Sequence, residues 1–212
     1  MPALLLEVRD LRCERDDRVL FEGLDCSLAA GRALQLRGEN GAGKTTLLRV
    51  LSGLHPDWEG SVLIDGLAPA EASHALLCLG HRAGISGALT PTENLRWYGA
   101  LGVRAADTGR IHDALARVGL AGYEDVPCQQ LSAGQQRRVA LARLALDDGA
   151  ASLWLLDEPF TALDTAGITL VVDLMQAQLD RGGAVIFATH QDAPGLDPLD
   201  DLVLGAAAKV AR

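Results

Sequence analysis

The chain has 212 residues, 49% of them hydrophobic and 22% charged, which is enough for one well-cored globular domain and too apolar for a disordered one. A formal charge of −9 and an isoelectric point near 4.9 argue against non-specific binding to nucleic acid or to an anionic membrane surface. Cys13, Cys26, Cys78 and Cys128 lack metal-site or disulfide-framework spacing, and no apolar run reaches the roughly 18 residues of a membrane helix. The N-terminus has no basic region leading into an apolar core, so the expectation is a reduced, cytosolic chain that is neither exported nor membrane-spanning.

In chain order, Leu4 to Val8 and Val19 to Leu28 read as strands with mixed apolar and polar faces. The charged turn Glu14-Arg15-Asp16-Asp17-Arg18 joins them into a solvent-facing antiparallel edge. Ala33 to Arg37 is a strand, and Leu47, Leu48, Leu51 and Leu54 recur at helical spacing after the glycine-rich stretch that follows it. Ser61 to Ile64 and Leu76 to Gly80 are further strands that extend the sheet. Thr90-Pro91-Thr92-Glu93 starts a helix with a capping box and a proline at its first position. The helical region then runs to about Leu131, with Ile111, Leu115 and Val118 marking an amphipathic helix ended by Gly119 or Gly122. Ser132 to Leu146 and Thr165 to Arg181 are helices; Leu153 to Leu156 and Ala184 to Ala188 are apolar runs expected of parallel strands buried on both faces. The pattern predicts an α/β core with an inserted helical subdomain.

The chemistry centres on Gly38-Glu39-Asn40-Gly41-Ala42-Gly43-Lys44-Thr45, which fits the G-x-x-x-x-G-K-[ST] pattern of a phosphate-wrapping loop between a strand and a helix. Its glycines let consecutive N–H groups turn inward, and the following helix adds the positive end of its dipole. Lys44 is placed to reach the β- and γ-phosphates of a nucleotide and Thr45 to ligate Mg²⁺. Of 19 basic residues only Lys44 and Lys209 are lysine, so an arginine-rich composition has kept lysine here. Leu153-Trp154-Leu155-Leu156-Asp157-Glu158 is a strand ending in two carboxylates at the sheet's carboxyl edge, where α/β ligand sites lie. Asp157 is the expected second metal ligand, and Glu158 the base that activates water.

Leu131-Ser132-Ala133-Gly134-Gln135 resembles the LSGGQ signature of the ATP-binding cassette (ABC) ATPases, with alanine for one glycine. Read by itself, the segment is a capping box that presents free N–H groups at a helix start. The resemblance implies that Ser132, Ala133, Gly134 and Gln135 receive the γ-phosphate of ATP held by a second subunit. Arg137, Arg138 and Arg143 follow and read as a solvated or intersubunit face. In the family's order, Thr161-Ala162-Leu163-Asp164 resembles the D-loop, with Asp164 at the dimer interface, and His190 resembles the switch histidine that contacts the γ-phosphate. Thr46 joins the loop residues in binding ATP. Two positions depart from the common pattern: Arg15 stands where an aromatic usually stacks on adenine, and His81 falls where a glutamine usually senses the metal's water. A guanidinium can stack on a base, and His81 reads either as a catalytic residue or as a polar loop residue.

Cys13-Glu14-Arg15-Asp16 with Leu20-Phe21, Leu79-Gly80-His81, the Leu131 to Leu144 stretch, Leu155 to Ala162 and Ala188-Thr189-His190-Gln191 resemble the ATP-binding subunits of bacterial cytochrome c maturation systems, where Arg15 and His81 are the usual choices. That resemblance implies a single ABC ATPase domain over 1–212, with a nucleotide-binding core of about 1–86 and 132–212 and a helical subdomain of about 87–146 overlapping it at the signature helix. It implies ATP and Mg²⁺ as cofactors, a homodimer, and integral membrane subunits of a cytochrome c maturation complex as partners. It also implies a peripheral location on the cytoplasmic face of the bacterial inner membrane, no nucleic acid, and haem handled by the partners. The alternatives are the ATPase of another small exporter and a soluble ABC protein acting on ribosomes or DNA. Against the latter stand a single cassette, no coiled-coil insertion between Lys44 and Ser132, and the acidic balance.

Overall fold

The computed structural model describes residues 4–15, 18–101, 107–205 and 209–211. Two sheets organise them. Strands β1 (Leu4–Arg15), β2 (Arg18–Ala29) and β4 (Glu59–Ile64) form an antiparallel sheet in the order β2-β1-β4. The second sheet contains β3 (Ala33–Arg37), β5 (Leu76–Leu79), β6 (Leu153–Asp157), β7 (Ala184–Ala188), β8 (Leu199–Val203) and β9 (Lys209–Ala211). Its order is β5-β6-β7-β3-β8-β9, parallel except for the antiparallel β9. Its inner strands β6 and β7 are buried at every position, which explains why they read as continuous apolar runs with no alternation.

The antiparallel sheet differs from expectation in extent. β1 runs seven residues further toward β2 than the apolar pattern suggested, β2 matches its expected span to within one residue at each end, and Asp16 and Asp17 of the expected turn lie outside the described residues. The extra length sets charged residues around the buried Leu11 and Cys13, and burial together with ion pairing explains how it holds. Arg12 on β1 meets Glu14, Glu22 of β2 and Glu59 of β4 at 2.8, 3.5 and 3.4 Å. Two expected extensions also part company, since β4 joins the antiparallel sheet and β5 the parallel one. β8 and β9 were not expected.

Five helices complete the described residues: α1 (Lys44–Leu51), α2 (Pro91–Leu101), α3 (Thr108–Arg117), α4 (Ala133–Leu146) and α5 (Thr165–Asp180). Gly119, at φ 76°, follows the end of α3 as expected. The core has three parts. One lies between the antiparallel sheet, α1 and one face of the parallel sheet; a second lies between the other face, α4 and α5. The third gathers Leu95, Ile111, Leu115, Leu131 and Val139 among α2, α3 and α4. Helix α4 serves two of these cores, with Ala140, Leu141 and Leu144 on one and Val139 and Ala142 on the other. Each fully buried leucine or phenylalanine contributes about 1.5–3 kcal/mol. All four cysteines are free thiols, and burial pushes Cys26 up to about 12 and Cys78 to about 11.

Candidate functional site

The strand-to-helix turn after β3 is built on left-handed glycines. Gly38 has φ 141° and Gly43 φ 97°, and a Cβ on Gly38 would come within 2.7 Å of the Leu204 carbonyl oxygen. A side chain is therefore excluded there by both conformation and space. Lys44, buried at the start of α1, donates from Nζ to the carbonyls of Gly38 at 2.7 Å and Glu39 at 3.1 Å, so the ammonium is held inside the loop's own curve. Thr45 Oγ1 donates to Asp157 Oδ2 at 2.9 Å, joining the loop to the end of β6 across 112 residues of sequence.

Beyond Asp157 the chain turns sharply. Glu158 has φ 51°, a left-handed conformation that a non-glycine residue keeps only under constraint from its surroundings. Three contacts supply that constraint: its N–H donates to Ala188 O at 2.8 Å, and its carbonyl accepts from Arg137 Nη2 at 2.7 Å and from Thr161 N at 3.3 Å. The turn aims the Glu158 carboxylate toward His190, whose Nε2 lies 3.9 Å from Oε1 and 3.1 Å from Asn40 Oδ1 in the loop.

These residues line one cleft of about 540 Å³. From the predicted set it contains Asn40 to Thr46, Asp157, Glu158, His190, His81 and Arg15, joined by Arg18 and Leu20. Gly38 and Glu39 line an adjoining cleft of about 730 Å³. Ser132, Ala133, Gly134, Gln135 and Asp164 are not in the first cleft. Ser132 and Gln135 form the expected capping box of α4, with Gln135 N donating to Ser132 Oγ at 3.2 Å and Ser132 N to Gln135 Oε1 at 2.9 Å. A Cβ on Gly134 would stand 3.2 Å from Ala162 O, so this helix start packs against the segment that carries Asp164. Asp164 caps α5 through Gly167 N at 3.0 Å and pairs with Arg138 at 3.0 Å.

The reading of Arg137, Arg138 and Arg143 as a solvated or intersubunit face is corrected for two of the three. Arg137 is 5% exposed and donates to the carbonyls of Gly80 at 3.2 Å, Asp157 at 3.3 Å and Glu158 at 2.7 Å. Burial lowers its pKa, and the carboxylates of Asp157 and Glu158 oppose that shift. Arg143 donates to Cys78 O at 3.1 Å and lies over the Tyr98 ring at 3.8 Å. Helical phase does not single it out, because α4 is apolar on nearly every side: Arg138 shares a stripe with the buried Leu141 and Ala142 just as Arg137 does with Ala140, Leu141 and Leu144. Arg137 is thus a residue of the site that the motifs did not announce, tying α4 to the strand end that carries both carboxylates.

Residues 21–161 match the ABC transporter family. The cytochrome c biogenesis ATP-binding export protein CcmA of Pseudomonas fluorescens is 50% identical over 194 residues, 90% of each chain. The protein of that name from Escherichia coli is 51% identical over 191 residues, covering 88% of this chain and 89% of the other. Among solved structures, an ABC transporter ATP-binding protein from Pyrococcus furiosus superposes with a TM-score of 0.82 at 24% identity, covering 96% of this chain and 99% of the other. An ATP-binding cassette of an ABC transporter in its ADP conformation gives 0.76 at 18% identity, covering 95% and 87%. Both share the fold.

Proposed function

The chain belongs to the ABC transporter family, and from that premise we propose that it is the ATP-hydrolysing subunit of a membrane complex for cytochrome c biogenesis. Identity of 50–51% across about nine-tenths of the chain to relatives bearing that name supports the pathway. The ATPase reading of the site rests on one observation: Lys44 and Thr45 share a cleft with Asp157, Glu158 and His190, residues drawn from three distant parts of the chain. Among the described residues no helix is long and apolar enough to cross a membrane; in this reading the spanning segments belong to other subunits of the complex. The nucleotide-binding core is assigned to about 1–86 and 132–212 and the helical subdomain to about 87–146; the separate core shared by α2, α3 and α4 supports the division. We place the complex in the bacterial inner membrane with this subunit on its cytoplasmic face, and assign haem handling to the membrane subunits.

In this reading the loop N–H groups and Lys44 hold the β- and γ-phosphates, with Arg15 beside the base. Thr45 and Asp157 offer two hard oxygen donors at 2.9 Å from each other. That set fits Mg²⁺, which takes one or two protein oxygens and completes its shell from phosphate and water. When bound, Mg²⁺ supplies neutralisation of the charge on the β- and γ-phosphate oxygens. Glu158 accepts the proton of the attacking water, and its left-handed turn aims the carboxylate at that position. His190 and His81 border the same cleft, His190 as the contact to the γ-phosphate. Ser132 to Gln135 lie outside this cleft, so they have no phosphate to receive within their own subunit. A head-to-tail homodimer gives them one, with Asp164 at the same interface.

Complementation tests the proposal. Loss of this gene should abolish c-type cytochromes in its bacterium, the intact gene should restore them, and Lys44→Ala at normal abundance should not. Full restoration by Lys44→Ala would separate the chain's cellular role from ATP turnover.

A further inference from the structure

β3 lies between two parallel neighbours and is covered on both faces, so every position in it should be apolar. Ala33, Leu34 and Leu36 obey that rule. Gln35, 0% exposed, does not. A carboxamide in such a place persists only where partners satisfy it, and a break with local pattern is where function is to be sought.

Gln35 finds its partners in the segment after β7. Its Nε2 donates to Gln191 O at 3.2 Å and to Thr189 O at 3.5 Å, the two carbonyls that bracket His190. Its Oε1 accepts from Arg37 Nη2 at 3.0 Å. The orientation of the amide follows from its neighbours, because carbonyls only accept and a guanidinium only donates. Arg37 in turn donates from Nε to Asp201 of β8 at 2.7 Å and lies 3.9 Å from Asp192. A chain of bonds therefore runs from β8 through Arg37 and Gln35 to the backbone on both sides of His190. β7 ends at Ala188, so the sheet ladder does not hold this segment. The imidazole itself projects half-exposed into the cleft.

We propose that Gln35 is a positioning residue for ATP hydrolysis: by pinning the carbonyls of Thr189 and Gln191 it sets where the His190 ring stands relative to Glu158 and the γ-phosphate. The proposal rests on the assignment of His190 as a γ-phosphate contact. Misplacement of a catalytic group by about 1 Å costs on the order of 10²-fold in rate, so a peg beneath the loop bears on kcat more than on ATP affinity.

Gln35→Glu separates the two ends of the side chain. It keeps the shape and the acceptor facing Arg37, but a carboxylate has no N–H for the two carbonyls. In the full chain kcat should fall roughly 10- to 100-fold while KM for ATP stays within about twofold. His190→Ala should lower kcat by about 10²- to 10³-fold, as loss of a charge-stabilising donor does. In that background Gln35→Glu should cost no more than about a further twofold, because its effect passes through His190. Independent, multiplying losses in the double variant would overturn the proposal, as would normal kcat in a folded Gln35→Glu protein. Near-normal turnover in His190→Ala alone would instead remove the assignment of His190, and the proposal with it. If the glutamate variant does not fold, Gln35→Met, which matches the strand's apolar pattern, carries the same comparisons.

Discussion

Arg137→Ala should be among the most damaging single changes on α4 despite leaving every named motif intact. Truncation leaves the carbonyls of Gly80 and Asp157 without this donor and the Glu158 carbonyl with only its longer bond from Thr161 N, in a place where the guanidinium was 5% exposed. An orphaned buried carbonyl costs about 1–3 kcal/mol; for the two that lose Arg137 outright, at about 1.5 kcal/mol each with some water entering the space, the loss is ~3 kcal/mol. For a chain of this size each kcal/mol lowers Tm by about 2–4 °C, so the expected drop is ~6–12 °C. Arg138→Ala is the internal control. It breaks a pair with Asp164, whose side chain is 69% exposed, and a bond to Val118 O, for about 1 kcal/mol and roughly 2–4 °C. Both variants should be melted without nucleotide and at one protein concentration, since ligand and association shift Tm. Arg137→Ala should also lower kcat about 10²-fold with ATP binding retained, because Glu158 loses the strongest contact to its turn. An Arg137→Ala protein that melts no lower than Arg138→Ala would refute the assignment of Arg137 as the clamp on the carboxylate strand.

Two further outcomes probe surfaces rather than the cleft. With Glu158→Gln present, ATP and Mg²⁺ should convert monomer to dimer in sedimentation, and Ser132→Arg should block that conversion by removing the cap oxygen and crowding the helix start; an ATP-dependent dimer that persists would place the interface elsewhere. Trp97 is 56% exposed and packs edge-on to Tyr98 at 5.3 Å, so Trp97→Ala should leave basal turnover of the isolated chain unchanged while reducing its stimulation by membrane subunits; unchanged stimulation would move the coupling surface.

What the sequence made legible was whatever is local. The phosphate loop, the acidic strand end and the capping box each occupy a few consecutive residues, and β7 and α5 carry strong apolar patterns with clear ends. Strand β8 was hidden because Asp200 and Asp201 break its apolar run; in the fold they pair with Arg32 and Arg37 at 2.7 Å each. The outer part of β1 was hidden for the same reason, Arg12 being satisfied across strands by Glu22 and Glu59. Arg137 and Arg143 were hidden because α4 is apolar on nearly every side, so only the packing of the fold shows which of its arginines are enclosed. Gln35 was not legible at all, since the two carbonyls that accept from it lie 154 and 156 residues away and only the folded sheet brings them together.

Glu158 is proposed as the general base for hydrolysis of ATP held by the Lys44 loop. Turnover and ATP binding measured side by side on Glu158→Gln test that role most directly. ATP affinity should stay within about twofold of the parent while kcat falls by roughly 10²- to 10⁴-fold, the range for loss of a general base. Near-parental kcat with ATP bound normally would contradict it.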